Sequence, residues 1–170
     1  MFNNNEEKPA NENGIEERIP SFFRFEDLRV YHKSLDYINW LQDINTLFPE
    51  NEKSQLVTRF NDAARNIGFY IAEGSAGNRN QFIHSLRMAQ SSIRECVTFT
   101  NISYRTNYIS ESYKEISRNY LMELTKMTGA LINSLQRIIE NNNYRNNNGN
   151  YNGDNQNSHS KRYVNEYNNV

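Results

Sequence analysis

Three histidines, one cysteine, a few carboxylates and a spaced set of arginines are the groups in this chain that could do chemistry. His32, His84 and His159 lie in three distant segments, and none has a second His or Cys at ligand spacing. The residues three before His32 and His84 are Arg29 and Gln81, so the Glu-x-x-His pattern of di-iron bundles is missing. Cys96 is the single cysteine, which excludes an internal disulfide and a cysteine metal cluster. It falls in a helical stripe between Ile93 and Thr100 and reads as a small core residue. Gly68, Gly74 and Gly77 fit neither GxxxxGK[ST] nor GxGxxG after a strand; helix termination accounts for Gly74 and Gly77. No serine sits in a strand-turn-helix elbow with a partnered histidine. The expectation is a chain without catalytic residues, cofactor or metal.

Charge placement is the remaining signal. Arg79, Arg87 and Arg94 recur at intervals of eight and seven and fall roughly along one helix face, with Arg59 and Arg65 bordering it. Such a row suits phosphate contacts. It equally suits a solvated face with acidic partners, Glu95 among them. Glu73 ends an apolar run beside Gly74 and needs a partner or water. Hydrogen bonds from Ser91, Ser92 or an arginine are the expected partners.

These residues must be held by helices. The 170 residues suffice for one domain with a real core. Mean hydropathy is -0.90, and the deficit lies at the two ends. Residues 1–22 are rich in Asn, Glu and Gly, and residues 141–170 contain 13 Asn but only Val164 and Val170 as aliphatics. Neither end buries enough apolar area to offset ordering entropy, so both are expected to be disordered. The tail's tyrosines could stack on bases or partner rings. Between Arg24 and Glu140 there are 14 Lys and Arg against 13 Asp and Glu, so net charge does not drive binding to nucleic acid or membrane. No signal peptide and no ~20-residue apolar span is present, which points to a cytoplasmic, non-membrane chain.

Residues 23–140 carry four helical periods and no alternating strand pattern. The first helix starts near Phe25, shows the stripe Leu28, Tyr31, Leu35, Ile38 and Leu41, and ends at Phe48–Pro49. The second begins near Asn51 to Lys53, carries Leu56, Phe60, Ala63, Ile67, Tyr70 and Ile71, and breaks at Gly74 to Gly77. The third starts near Asn78 or Asn80, with Phe82, Leu86, Ala89, Ile93, Cys96 and Thr100 as its seam. The fourth is capped by Ser110, with Tyr113, Ile116, Tyr120, Leu124, Met127, Leu131, Leu135 and Ile138 as its stripe. Short connections imply an all-α, up-down-up-down antiparallel four-helix bundle. Apolar residues beyond one interior's need imply a second, intermolecular seam, for which Trp40, Phe48, Phe99 and Tyr104 are candidates.

Phe25-Glu26-Asp27-Leu28-Arg29-Val30-Tyr31, Leu47-Phe48-Pro49, Ile71-Ala72-Glu73-Gly74, Ala89-Gln90-Ser91-Ser92 and Leu131-Ile132-Asn133-Ser134-Leu135 follow one another in order. Over residues 23–138 this pattern resembles the family of 23S ribosomal RNA intervening-sequence proteins. That family is similar in fold to the accessory variability proteins of diversity-generating retroelements. The resemblance implies a bacterial four-helix bundle that assembles as a ring-shaped homopentamer and has no established enzymatic activity. It also implies RNA or DNA binding, with a reverse transcriptase as a partner of the related proteins. The basic pair that usually precedes the equivalent of Ala63 is Asn61 and Asp62 here, and the usual Asn before Ile71 is Tyr70. The usually basic loop after Gly74 has Arg79 as its first cation.

The expected role is thus a non-catalytic homo-oligomeric scaffold or adaptor. The alternative is a nucleic-acid-binding accessory protein using Arg65, Arg79, Arg87 and Arg94.

Overall fold

Local capping chemistry divides the chain. A computed structural model describes residues 22–160, with side chains through residue 145. A 3-10 turn, Arg24–Asp27, leads into α1, Arg29–Ile44. Another 3-10 turn, Asn45–Leu47, brings the chain to Pro49, after which Glu50–Glu52 and a widened π-type turn, Lys53–Val57, open into α2, Thr58–Ser75. Then come α3, Arg79–Arg105, and α4, Glu111–Ser160. No strand occurs among the described residues. Of the ends expected to be disordered, 1–22 and 141–170, residues 1–21 and 161–170 lie outside the described residues, and residues 141–160 continue α4.

The helix ends have identifiable causes. Asn78 and Gln81 form a reciprocal capping box: each side chain accepts the other's backbone N–H, at 3.0 and 2.8 Å. At the far end of α3 the chain turns through Asn107, whose φ of 59° lies in the left-handed region that Asn tolerates. There the Asn107 and Tyr108 N–H groups bond the Tyr104 and Ser103 carbonyls, capping orphan acceptors of the last turn. Ser110 then caps α4 by accepting the Tyr113 N–H at 3.5 Å.

Cross-helix contacts give the topology. Between α1 and α2, Asn45 meets Asn61 while Ser34 lies beside Gly68. Between α2 and α3, Phe60 meets Phe99 while Gly74 lies against Ser85. Between α3 and α4, Gln90 meets Thr128 while Thr100 meets Ser117. Between α1 and α4, Lys33 pairs with Glu123 while Tyr37 meets Ser117. In every pair one residue number rises as the other falls, so neighbouring helices run antiparallel around one core.

Four local expectations are corrected. First, α1 begins at Arg29, not near Phe25, because Leu28 is extended (φ -84°, ψ 115°) and turns Phe25 back edge-on against Tyr31 at 4.9 Å. Second, the inner face of α1 is Val30, Ser34, Tyr37, Leu41 and Ile44; Leu35 is exposed and Tyr31 and Ile38 are half-buried. Third, the inner face of α4 is Ser117, Leu121, Leu124, Thr128 and Ile132, one helical step from the expected stripe. In both helices the core accepts hydroxyl-bearing residues that hydrophobic periodicity overlooks. Fourth, α2 ends at Ser75, inside the expected Gly74–Gly77 break, so Gly74 itself lies within its last turn. A Cβ on Gly74 would lie 2.5 Å from Ser85 Cβ and 2.9 Å from Phe82 Cδ2, so its role is close approach of α2 to α3. Beyond Glu140, α4 continues with exposed side chains at residues 141–145.

Candidate functional site

The Ile71–Gly74 motif resolves into packing and one free acid. Ile71 is buried, Ala72 is half-buried and Gly74 is buried against α3. Glu73 is exposed, and among the described residues it takes no hydrogen bond from Ser91, Ser92 or an arginine. The expected structural bond of Glu73 is therefore not formed.

The core holds a polar cluster that joins three helices. Tyr37 Oη lies 3.1 Å from Ser117 Oγ, Ser117 Oγ lies 2.7 Å from Thr100 Oγ1, and Thr100 donates to the Cys96 carbonyl at 2.8 Å. Burial pushes the Cys96 thiol up to about 12, so it stays protonated and unreactive at neutral pH. Burial also raises the Tyr37 phenol well above its ordinary value, with the adjacent Cys96 adding to the shift. Every buried side-chain N or O atom among the described residues has a partner. Such a cluster specifies register and offers no unsatisfied group for catalysis.

The arginines sort into two sets. Arg65 is held by Asp62 at 3.2 Å on its own helix. Arg79, Arg87 and Arg94 are exposed, and among the described residues none forms an ion pair. Arg105, eleven residues beyond Arg94, completes three full helical turns and extends the row. Its spacing was available in the sequence and was overlooked. From Arg87 to Arg105 the row spans about 27 Å at 1.5 Å per residue. Glu95, the one acid in α3, instead lines a groove of about 320 Å³ with Arg59, Asp62 and Phe99 on the α2 side.

The aromatic candidates also separate. Phe48 is buried inside the protomer with its ring edge-on to Tyr108 at 5.9 Å. Phe99 is half-buried and packs on Phe60 at 5.6 Å. Trp40 is half-buried, stacked on Tyr37 at 5.8 Å and tilted against Tyr120 at 6.0 Å. Tyr104 is exposed; Lys114 lies over its ring at 4.3 Å, and the Glu111 carboxylate pushes its phenol up. The edge of α4 beside Trp40 carries Tyr113, Ile116 and Ile138, which remain 36%, 40% and 38% exposed. Helix α4 therefore has two apolar stripes, one inside the bundle and one at its margin.

Among the described residues no group of three His, Cys, Asp or Glu could hold a metal ion. His32 Nε2 faces the Glu26 carbonyl oxygen at 2.5 Å, and the side chain of His159 is not described. No helix among the described residues is long and apolar enough to cross a membrane.

The fold has a counterpart among solved structures. A crystal structure of a protein of unknown function from the S23 ribosomal protein family of Bacteroides thetaiotaomicron aligns with a TM-score of 0.57 and 23% identity. The alignment covers 61% of this chain and 95% of that one, and it shows a shared fold. No curated protein matches the chain. The family profile of the 23S rRNA-intervening sequence protein matches residues 26–130, which takes in α1, α2, α3 and the inner polar cluster. The chain belongs to the 23S rRNA-intervening sequence protein family.

Proposed function

We propose that this protein is a non-catalytic, cytoplasmic helical scaffold that assembles with copies of itself, as the homopentamer that its family resemblance implies. The observation that supports this reading is the marginal stripe of α4. Tyr113, Ile116 and Ile138 recur on one face, flanked by half-buried Trp40, Tyr120, Met127 and Leu131. A helix whose core-facing side is already filled has no need of a second apolar stripe unless another surface covers it. Copies packed edge to edge would bury that stripe and leave the outer face of α3 open.

Light scattering tests the assembly. Five copies of the 20.1 kDa chain have a mass of about 100 kDa. The double variant Tyr113→Glu, Ile116→Glu places two charges on the stripe and is expected to run as the monomer. A wild-type chain that is monomeric at micromolar concentration defeats the reading.

A second reading rests on α3, which carries Arg79, Arg87, Arg94 and Arg105 against the single acid Glu95. An unpaired cationic row repeated around an oligomer suits the phosphate backbone of RNA or DNA, with a reverse transcriptase as a further partner. Binding that falls steeply with salt, and that is lost in the Arg79, Arg87, Arg94 to Glu triple variant, supports it. Equal binding by parent and variant removes it.

A further inference from the structure

A cavity of about 370 Å³ lies at one end of the bundle, between the Arg24–Asp27 turn, the α2–α3 connection and α4. Its volume falls within the roughly 300–1,000 Å³ of small-molecule sites. Two arginines line it, Arg24 and Arg79, from segments 55 positions apart in the chain. Neither forms an ion pair among the described residues, and no Asp or Glu lines the cavity. Leu28, Phe82 and Leu135, all half-buried, line the same cavity. The capping box takes up the Asn78 and Gln81 backbone N–H groups, and Arg24 and Arg79 are the cationic residues of the lining.

We propose that this cavity binds a phosphorylated ligand of mononucleotide size, its phosphate on Arg24 and Arg79 and its planar or apolar body against Leu28, Phe82 and Leu135. Two guanidinium forks match the oxygens and double charge of a phosphate monoester, whereas one fork already satisfies a carboxylate. Inorganic phosphate alone would leave the apolar walls wet. An uncharged base would leave two cations without a counter-charge. Among the described residues no acid lines this cavity to compete for the arginines, unlike the groove at Arg59 and Asp62.

Isothermal titration of the full chain with adenosine 5′-monophosphate tests the site. Saturable binding, one per chain, is expected at least about tenfold tighter than that of inorganic phosphate or adenosine. The double variant Arg24→Gln, Arg79→Gln should weaken it by about tenfold or more, while Arg118→Gln, Lys126→Gln leaves it unchanged. Both pairs are exposed, and matching thermal melts verify that each variant folds. Hydrogen–deuterium exchange should show protection by the nucleotide at residues 24–28 and 75–82. A 5′-phosphorylated oligoadenylate that protects the same residues supports the same chemistry with a strand end as its source. Absence of saturable binding, unchanged affinity in the Arg24, Arg79 variant, or protection confined to residues 87–94 overturns the proposal. Oligomeric mass is read separately, so assembly and ligand binding fail independently.

Discussion

The Tyr37 hydroxyl on α1 lies 3.1 Å from the Ser117 hydroxyl on α4, joining residues eighty positions apart inside the core. Ser117 passes the chain of bonds on to Thr100 at 2.7 Å and so couples α1, α3 and α4 through one atom. An apolar core could fill the same volume but would not distinguish one helical register from the next. Three hydroxyls that are satisfied in a single alignment do distinguish it.

Removing one member should expose that coupling. Ser117→Ala removes one hydrogen-bond partner of the buried Tyr37 hydroxyl and should cost about 1–3 kcal/mol. Tyr37→Phe leaves Ser117 bonded to Thr100 and should cost about 1 kcal/mol. In the double variant no Tyr37 hydroxyl remains to lose a partner, so urea melts should give a total below the sum of the single losses.

Two glycines should respond oppositely to alanine. At Gly74 the new methyl meets Ser85 Cβ at 2.5 Å, which forces α2 and α3 apart and should cost about 1–3 kcal/mol. At Gly129 nothing lies within 4 Å, so alanine should stabilise α4 by up to about 1 kcal/mol. Thermal denaturation of the two variants against the parent gives the comparison.

Alkaline pH should destabilise the bundle through Cys96. Its thiol titrates at about 12 in the folded chain and near 9.0 as a free group. A raised folded value means that the stabilisation is complete below pH 9 and is lost as pH rises from 9 to 12. The expected slope is about 1.4 kcal/mol per pH unit from this group. Tyr37, also raised, adds to the loss at higher pH. Chemical denaturation at stepped pH should show a shallower decline for Cys96→Ala than for the parent.

Glu73 should be replaceable. Its carboxylate is exposed and has no hydrogen bond or ion pair among the described residues. Glu73→Gln should therefore change stability by no more than about 0.5 kcal/mol. A larger loss with a fall in native mass would place Glu73 at a contact between copies.

Much of the architecture is legible in the residue order. The apolar spacing of α2 and α3 marks their inner faces, Pro49 ends the first helical segment, and Asn78 and Ser110 cap α3 and α4 as their side chains allow. Those features are local, because a cap or a stripe depends on residues within a few positions of one another. The row from Arg79 to Arg94 is local too, and Arg105 extends it by the same helical arithmetic. Tertiary structure alone decided the rest. Periodicity ranks Leu35 and Ile116 above Ser34 and Ser117, yet the core contains the two serines, since a buried hydroxyl is tolerated only where another helix supplies its partner. Likewise, nothing near Gly74 in the chain announces Ser85 at its Cα, and nothing near Arg24 announces Arg79. Those meetings arise where antiparallel helices bring distant segments together, and a linear pattern carries no record of that distance.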